Sequence, residues 1–342
     1  MSLSTILVTG AAGFIGSNFV EIAAKQGKHV VVLDALTYAG HRENLEGISG
    51  SWELVVGDIR DTKLVHKLLR THSVDALLNF AAESHVDRSI TGPAAFIETN
   101  ILGTYHLLTE ALEYWQTLPD GKKSAFRFLQ VSTDEVYGTL GDTGKFSEST
   151  PYAPNSPYSA SKASADLLVR AWHHTYGLPT LTTNCSNNYG PKQYPEKLIP
   201  HMIDCALRGA PLPVYGKGSN VRDWIHVMDH SRGIFRALER GIPGKTYCFG
   251  GNAERKNLDV VDAICIELDR VRPRSDKKSY RDQIAFVTDR LGHDWRYAID
   301  DSLAQGELGF EREFTFESGL RDTIHWYLEN PDWKARVVRG KA

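Results

Sequence analysis

Short apolar runs alternate with amphipathic stretches through the first half of the chain. The apolar runs predict buried strands, and the amphipathic stretches between them predict helices. The predicted strands are Ile6–Thr9, Val30–Asp34, Trp52–Val56, Ala76–Ala81, Phe126–Ser132 and Leu181–Asn184. The predicted helices are Phe14–Gln26, Thr62–Thr71, Asn100–Thr117 and Tyr158–Tyr176. Strands that alternate with helices in this way predict right-handed crossovers and a parallel, doubly wound α/β sheet.

The alternation breaks down after about residue 185, where proline and glycine become frequent. Four further helices are predicted there, at Leu198–Arg208, His230–Arg240, Leu258–Asp269 and Phe316–Glu329. The pattern therefore predicts a large α/β domain over residues 1–185 and a smaller mixed α/β lobe over residues 186–342, with some elements interleaved between the two.

Composition narrows the class of protein. The 342 residues are 42% hydrophobic and 24% charged, with a formal net charge of -3. These values are typical of a globular enzyme and give no electrostatic footprint for nucleic acid or anionic lipid. The four cysteines are scattered without a CxxC pair, so we expect neither a metal site nor a disulfide. No signal peptide or membrane span is recognisable, and we expect a soluble cytoplasmic protein.

A glycine-rich segment joins the first predicted strand to the first predicted helix: Thr9-Gly10-Ala11-Ala12-Gly13-Phe14-Ile15-Gly16. The glycines permit a tight turn, close approach of the backbone to a pyrophosphate, and close packing of helix on strand. Free N–H groups at the start of the helix then face the phosphates. The segment therefore indicates a dinucleotide site in a Rossmann-type domain.

Asp34 closes the second predicted strand. A carboxylate at that position accepts hydrogen bonds from the ribose hydroxyls and repels a 2′-phosphate, which favours NAD over NADP. The alternative interpretation is that Asp34 is a turn or helix-cap residue. Arg42 lies nearby and could weaken the preference for NAD. Asp58 and Ile59 end the third predicted strand, where adenine usually lies in folds of this kind.

A pair of polar residues on one predicted helix carries candidate chemistry. Tyr158 and Lys162 form a YxxxK pair, and residues four apart share one helix face. An ammonium near the tyrosine hydroxyl favours the phenolate, so we expect Lys162 to lower the pKa of Tyr158. Tyr158 could then take a proton from a sugar hydroxyl as hydride leaves the same carbon. Thr133, at a strand end, could place a hydroxyl beside the tyrosine.

The chain resembles the extended short-chain dehydrogenase/reductase family in Gly10, Gly13, Gly16, Thr133, Tyr158 and Lys162. Within that family, Thr133-Asp134-Glu135-Val136-Tyr137-Gly138 is similar to the motif of nucleotide-sugar 4,6-dehydratases, and related epimerases carry other residues where Asp134 and Glu135 stand. The similarity covers nearly the whole chain, including Ala81–Ser89, Asn187–Pro191, Glu196–Pro200, Pro213–Gly216 and Arg222–Trp224.

This resemblance implies a lyase that uses NAD to remove water from dTDP-glucose, giving dTDP-4-keto-6-deoxyglucose for rhamnose or other deoxysugars. Tyr158, paired with Lys162, would take the C4 hydroxyl proton, and Thr133 would hydrogen-bond the C4 oxygen. Glu135 would remove the C5 proton, and Asp134 would protonate the departing C6 hydroxyl. We therefore predict that burial and the neighbouring carboxylate raise the pKa of Asp134. The alternative interpretation of Asp134 and Glu135 is a solvated acidic turn.

The resemblance also implies two sets of binding residues. NAD would be bound by Gly10, Gly13, Phe14, Ile15, Gly16, Asp34, Thr37, Asp58, Ile59, Ala81, Ala82, Thr99, Tyr158, Lys162 and Asn187. The nucleotide sugar would be bound by Ser84, Thr133, Asn187, Lys197, Leu198, Pro213, Tyr215, Arg222, Asn257, Arg290 and His293. Many relatives have proline where Leu291 stands and a basic residue where Trp295 stands, two departures that bear on the shape of this loop.

Family members are typically homodimers that pair two long helices from each subunit, here Asn100–Thr117 and Tyr158–Tyr176. Both segments have apolar stripes at helical spacing, which fit either a dimer face or internal core. Two other functions remain open: a 4-epimerase or a dehydratase of a UDP-, GDP- or CDP-hexose, and a catalytically idle NAD-sensing regulator. An epimerase needs no acid and base for C6 and C5, and an idle sensor has little use for Tyr158, Lys162, Asp134 and Glu135 together.

Overall fold

The fold is seen in a computed structural model that describes residues 3–289 and 294–339. Seven parallel strands form the main sheet: β1 Thr5–Thr9, β2 His29–Asp34, β3 Trp52–Val56, β4 Ala76–Asn79, β5 Arg127–Thr133, β6 Thr180–Cys185 and β10 Thr246–Phe249. Their order across the sheet is β10-β6-β5-β4-β1-β2-β3. The sheet confirms the predicted doubly wound α/β class, and its strand order reverses between β1 and β4, where such sheets bind ligands.

The remaining strands form two small sheets. They are β7 Asn187–Tyr189, β8 Leu212–Tyr215, β9 Val221–His226, β11 Glu254–Lys256 and β12 Ile284–Val287. One sheet has the order β11-β9-β7 and mixes antiparallel and parallel pairs, and the other pairs β12 with β8. These sheets, together with the helices Leu198–Arg208, Asn257–Val271 and Phe316–Glu329, form the smaller mixed α/β part of the molecule.

Helices lie on both faces of the main sheet and over the small sheets. They are α1 Phe14–Lys25, α2 Thr62–Thr71, α3 Val86–Thr91, α4 Ala94–Phe96, α5 Thr104–Thr117, α6 Asp120–Ala125, α7 Pro157–Tyr176, α8 Leu198–Arg208, α9 Val227–Arg240, α10 Asn257–Val271, α11 Ser302–Leu308, α12 Phe316–Glu329 and α13 Pro331–Arg339. Short 3₁₀ turns cover Arg42–Leu45, Asp134–Tyr137 and Tyr280–Gln283, and Ile97–Gly103 is π-helical. Among these described helices, none combines the length and the apolar character needed to cross a bilayer.

Several predicted elements need correction. β4 ends at Asn79, two residues before the predicted end at Ala81. β3 has the predicted bounds Trp52–Val56, so Asp58 and Ile59 lie in the loop after this strand and not at its end. The helix predicted from Asn100 begins in the π-helical segment, whose hydrogen-bond pattern differs from that of an α-helix. α9 begins at Val227 rather than His230, because the His226 side chain accepts a hydrogen bond from the backbone N–H of Met228 and caps the helix earlier.

The chain beyond residue 185 also contributes to the main sheet. β10 pairs in parallel with β6, and α9 packs against α1 on one face of that sheet. The last described helix, α13, was not predicted from the sequence. Its Trp333 donates a hydrogen bond from Nε1 to Asn44 Oδ1 at 2.9 Å, which ties the C-terminal end to the 3₁₀ turn at Arg42–Leu45.

Candidate active site

A cavity of about 480 Å³ opens at the carboxyl ends of the parallel strands. Its walls include residues that end β2, β5 and β6 or follow β1, β3 and β4, together with the first turns of α1 and α7. Because the carboxyl ends of parallel strands share one edge of the sheet, side chains far apart in sequence meet there. The cavity contains all of the residues predicted to bind the cofactor and all five residues predicted to be catalytic.

The turn between β1 and α1 depends on glycine at its first position. Gly10 has φ +65°, and a Cβ there would lie 2.5 Å from the backbone nitrogen of Ala81. A side chain at Gly10 would therefore be strained and would collide with the chain that follows β4. Gly13 lines the cavity as the N-cap of α1, so the free N–H groups of the first helical turn lie at the cavity wall.

Asp34 is held in place by backbone amides at the end of β2. Its Oδ2 accepts from the N–H of Ala12 at 2.8 Å and its Oδ1 from the N–H of Leu36 at 2.8 Å. Burial raises the pKa of Asp34, and the two amide hydrogen bonds act in the opposite direction. Each carboxylate oxygen keeps a lone pair for a further donor, so the geometry suits a ribose hydroxyl from the cavity side.

Asp134 and Glu135 stand on the 3₁₀ turn that follows β5. The turn begins at Thr133, whose hydroxyl accepts from the N–H of Glu135 at 3.3 Å. Asp134 is buried, at 2% exposure, and one of its carboxylate oxygens has no hydrogen-bond partner among the described residues. Burial, followed by the charges of Glu135 and Asp223, raises the pKa of Asp134 well above its ordinary value, which confirms the predicted direction.

Tyr158 and Lys162 project from the first turns of α7 into the cavity. The helix starts there because Ser156 and Ser159 form a capping box and Pro157 occupies the first helical position. Lys162 is 4% exposed, and its Nζ donates to the carbonyl oxygen of Val131 at 2.8 Å. That bond also ties the helix to β5 below the cavity.

The predicted effect of Lys162 on Tyr158 is wrong for this structure. Burial raises the pKa of Tyr158 well above its ordinary value, and the charge of Glu135 adds to the shift. Burial also lowers the pKa of Lys162, since a charged ammonium loses its hydration inside the protein. Burial of the phenol therefore outweighs any lowering effect of the Lys162 ammonium on the pKa of Tyr158.

The predicted substrate residues fall into three groups. Ser84, Thr133, Asn187 and Lys197 line the cavity, and Lys197 Nζ donates to the carbonyl oxygen of Ser84 at 3.2 Å. Five others lie outside its lining: Leu198, Pro213, Tyr215, Arg222 and Asn257. Arg290 and His293, like the departure at Leu291, lie outside the described residues.

Arg222, which is predicted to contact the pyrophosphate, has backbone carbonyls as hydrogen-bond partners in this structure. Its guanidinium is buried and donates to the carbonyl oxygens of Val221 and Asp294 at 2.8 and 2.9 Å. It also lies 4.2 Å from the ring centre of Tyr297. In this arrangement the Arg222 charge lowers the pKa of Asp134, opposing the effect of burial.

Sequence reasoning missed an aromatic group at one side of the cavity. Tyr38 lies 3.1 Å from the Ser84 hydroxyl through its own hydroxyl, and the Arg88 guanidinium lies 4.2 Å from its ring centre. Burial raises the pKa of Tyr38 to about 12. Tyr194 packs edge-on against the Tyr38 ring at 6.1 Å. The available signal was the position of Tyr38 four residues after Asp34, at a strand end where ligands bind.

Known proteins resemble this chain in sequence and in overall structure. Residues 7–323 match the family described as GDP-mannose 4,6 dehydratase. The dTDP-glucose 4,6-dehydratase of Xanthomonas campestris pv. campestris is 61% identical over 340 residues, covering 99% of this chain and 97% of that protein. The dTDP-glucose 4,6-dehydratases of Bacillus anthracis and Streptomyces venezuelae, solved with NAD bound, have TM-scores of 0.86 at 43% and 44% identity. They cover 98% and 97% of this chain and 99% of each solved chain.

The fold and the Tyr158–Lys162 pair are those of the extended short-chain dehydrogenase/reductases. The chain belongs to the family that the matched model describes and, within it, to the dTDP-glucose 4,6-dehydratases. The matched family is named after a GDP sugar, whereas the similar proteins are named after a dTDP sugar.

Proposed function

We propose that this protein removes water from dTDP-glucose to form dTDP-4-keto-6-deoxyglucose, using NAD that stays bound and is recycled. The observation that carries the proposal is the buried, high-pKa Asp134 beside Glu135 in the same cavity as Tyr158. Relatives of the same activity, 61% identical and matching almost end to end, support it.

The cavity fits NAD on observations of this chain. Gly13 leaves its side of the cavity open, since a Cβ there would meet only the carbonyl oxygen of Gly10 within 4 Å. The anchored Asp34 carboxylate suits two ribose hydroxyls and repels a 2′-phosphate. When bound, NAD supplies an acceptor for hydride from C4 of the sugar and a donor for hydride to C6. In this proposal residues 1–185 bind most of NAD and residues 186–342 bind most of the nucleotide sugar.

The protein side chains move three protons in the proposed reaction. Tyr158 accepts the C4 hydroxyl proton as its phenolate, so the proposal requires the pKa of Tyr158 to be lower in the ligand-bound enzyme than in this structure. Lys162 is the buried cation one turn further along α7. The resulting 4-keto group acidifies the C5 proton, which Glu135 removes and later returns to C5. Asp134, protonated because its pKa is raised, donates to the C6 oxygen as water leaves. Thr133 hydrogen-bonds the C4 oxygen.

Substrate contacts outside the cavity are part of the proposal. Ser84, Asn187 and Lys197 line the cavity, where Ser84 would face the hexose, Asn187 the diphosphate and Lys197 the nucleoside. Contacts of the nucleoside with Leu198, Pro213 and Tyr215, and of the diphosphate or nearby groups with Arg222 and Asn257, require a bound nucleotide to reach beyond that lining. Arg290 and His293 remain proposed contacts on resemblance alone.

A 4-epimerase is the main competing function on this fold. It needs Tyr158 and Lys162 to form the 4-keto sugar but has no elimination for Asp134 and Glu135 to catalyse. The cost of burying Asp134 without a full set of hydrogen bonds is more readily explained if its protonated form acts as an acid. We therefore assign elimination rather than epimerisation.

The proposal is tested by incubating the purified protein with dTDP-glucose, and in parallel with UDP-glucose, without added NAD. Mass spectrometry should show loss of one water from dTDP-glucose only. An isomer of unchanged mass would identify an epimerase, and NAD binding without turnover of either sugar would favour an idle sensor. The expected cytoplasmic location is part of this proposal, and cell fractionation checks it.

We also propose that two copies of the chain pair through one apolar face. This face consists of exposed apolar side chains on the π-helical segment, α5 and α7: Ile97, Leu102, Tyr105, Leu167 and Tyr176, each 41–56% exposed. The three elements pack side by side in the monomer, so the residues belong to one side of the molecule. A self-complementary patch of this kind suits a twofold dimer.

A further inference from the structure

Three potential metal ligands converge at the end of the main sheet opposite the cavity. His29 begins β2, Glu53 lies near the start of β3, and His72 follows α2. Glu53 Oε1 lies 3.2 Å from His29 Nε2 and 3.3 Å from His72 Nδ1. The three ligand atoms all lie within 4.8 Å of one another. None of these residues lines the cavity that contains the catalytic groups.

The separations suit a shared divalent ion. Metal–ligand bonds to histidine nitrogen and carboxylate oxygen are about 2.0–2.2 Å long, so two ligands at octahedral or tetrahedral angles stand about 2.8–3.6 Å apart. Both distances from Glu53 Oε1 fall in that range. Two imidazoles and one carboxylate are a ligand set that Zn²⁺ and neighbouring transition metals accept, with water at the open positions.

The ligands are also held by their surroundings. The other ring nitrogen of His29, Nδ1, lies 2.7 Å from the Ser51 hydroxyl, a contact that orients the ring and leaves Nε2 directed at Glu53. His72 is the C-cap of α2, and its backbone N–H donates to the carbonyl oxygen of Leu68. Ligands on strand ends and a helix cap lose little conformational freedom when an ion binds.

A second cluster provides a contrast within the same chain. His66, Glu110 and Glu113 also bring three potential ligands within 4.8 Å. There, however, the Arg70 guanidinium lies 3.0 Å from His66 Nδ1, the same nitrogen that faces Glu110. A fixed positive charge at the ligand atom repels a cation. The Arg70 guanidinium also occupies the lone pair of His66 Nδ1 that a metal ion would need. This cluster is therefore not a metal site but a matched control.

We propose that His29, Glu53 and His72 form a binding site for one divalent transition metal ion, separate from the active site. The ion joins the starts of β2 and β3 to the end of α2, and the proposal does not depend on the catalytic function. Because the ligands belong to the folded state, bound metal stabilises the fold.

The site is tested by isothermal titration of the full-length, tag-free, metal-stripped protein with Zn²⁺, and by the visible absorption of added Co²⁺. We expect one ion per chain, and a rise of a few degrees in melting temperature at saturating Zn²⁺. Glu53→Gln and His72→Gln should each weaken binding at least tenfold, whereas His66→Gln should leave it unchanged. Absence of binding below millimolar Zn²⁺, or binding that survives both substitutions or is lost in His66→Gln, would overturn the proposal.

Asp166 supplies a second and independent inference. It lies one helical turn after Lys162 on α7, and the two residues are 3% and 4% exposed. The Lys162 ammonium donates a hydrogen bond to the neutral carbonyl of Val131, which does not balance the ammonium charge. A buried ammonium requires a nearby negative charge to remain protonated.

The surroundings of Asp166 identify it as that charge. Its Oδ2 accepts from the Ser132 hydroxyl at 2.6 Å and from the Tyr152 hydroxyl at 3.2 Å. Its Oδ1 has no hydrogen-bond partner among the described residues. Burial raises the pKa of Asp166 to about 6, and the Lys162 charge is the largest opposing influence. The other titratable groups facing the pair are Tyr137, Tyr152 and Cys185.

We infer that Asp166 is a positioning residue whose carboxylate keeps Lys162 protonated beside Tyr158. This inference rests on the proposed function for its kinetic consequence. Without the Asp166 charge, the ammonium loses its proton at lower pH, so activity that needs protonated Lys162 is lost earlier as pH rises.

The kinetic test compares pH profiles of dTDP-glucose turnover. Asp166→Asn, which preserves shape and removes the charge, should move the alkaline limb of kcat to lower pH by about one pH unit or more. Asp166→Glu should return the alkaline limb to near its wild-type position. Tyr152→Phe removes a hydrogen bond to Asp166 but leaves its charge, so its limb should not move. An Asp166→Asn variant of reduced activity with an unshifted profile would show a structural role only.

A double-mutant cycle on protein stability tests the coupling between Asp166 and Lys162 without substrate turnover. In melting experiments, Asp166→Asn and Lys162→Met should each destabilise the protein, and the double variant should recover much of the loss because neither charge is then buried. Additive losses would overturn the inference. Since this cycle requires no substrate, its failure is distinguishable from failure of the wild-type protein to dehydrate dTDP-glucose.

Discussion

At the scale of single residues, Asp134 and Glu135 are chain neighbours in different surroundings. Asp134 is buried and its pKa is raised, whereas Glu135 is only half-buried at the cavity wall. Burial favours the neutral form of an acid, and exposure favours its ionised form. The two carboxyl groups are thereby suited to opposite tasks, a proton donor for C6 and a proton acceptor for C5.

Asp134→Asn should separate these tasks. We expect kcat for water loss to fall about 100- to 10,000-fold, because the leaving hydroxyl is no longer protonated. Glu135 remains, so dTDP-glucose recovered from D₂O should still gain deuterium at C5. Glu135→Gln is the matched variant and should abolish both water loss and exchange. Loss of exchange in Asp134→Asn, measured by mass spectrometry, would contradict the assigned roles.

The same substitution should raise stability. The folded-state pKa of Asp134 lies above its ordinary value of 3.8, so the carboxyl group destabilises the fold increasingly as pH rises from there toward the folded-state pKa. Asp134→Asn removes this penalty. Its melting temperature should exceed that of the wild type at pH 8, and the gap should narrow as pH falls toward 5. A constant gap across this range would show that ionisation of Asp134 is not its cause.

At the scale of elements, the turn from β1 into α1 and the capping box of α7 set the geometry of the cavity. Trp52–Val56, Thr62–Thr71, Leu198–Arg208 and Phe316–Glu329 have the bounds predicted from the sequence. Such elements have strong local patterns and clear ends. The π-helical segment was not predicted, since a helical apolar pattern does not distinguish hydrogen bonds to the fourth residue from those to the fifth.

Gly10→Ala and Gly27→Ala distinguish backbone strain from collision. Both glycines have positive φ, +65° and +76°, so either substitution should cost about 1 kcal/mol of stability. A Cβ at Gly27 has nothing within 4 Å, but one at Gly10 would meet Ala81 at 2.5 Å. We expect Gly10→Ala to melt lower than Gly27→Ala and to lose copurifying NAD, measured by absorbance after denaturation. Equal melting temperatures and retained NAD would argue against a close-packed cofactor turn.

At the scale of the whole molecule, the apolar face defined above joins two helices that also build the active site. α7 carries Tyr158 and Lys162 at its first turns and the exposed Leu167 further along. The π-helical segment carries Thr99 in the cavity wall and Leu102 on the apolar face. Pairing of two chains would therefore rigidify the elements that position the catalytic groups.

Leu167→Asp should convert the proposed dimer to a monomer, because a charge in the middle of the apolar face cannot be hydrated once the face is covered. Light scattering coupled to gel filtration should give 38.1 kDa for the variant and twice that mass for the wild type. Ile266→Asp is the control, since Ile266 is equally exposed, at 58%, but lies on α10. A monomeric wild type, or dissociation by both substitutions, would contradict the proposed face.

Resemblance to a known family assigned Asp134 and Glu135 to the same chemistry as Tyr158. The sequence by itself determined the class of sheet, the glycine turn and the Tyr158–Lys162 pair. These features depend on local periodicity and on residue types at short spacing, which are readable along the chain. Only the tertiary structure decided that β10 joins the main sheet, that Arg222 is bonded to backbone carbonyls, and that the pKa of Tyr158 is raised. The physical reason is that strand partners, burial and the direction of a charged side chain depend on residues distant in sequence.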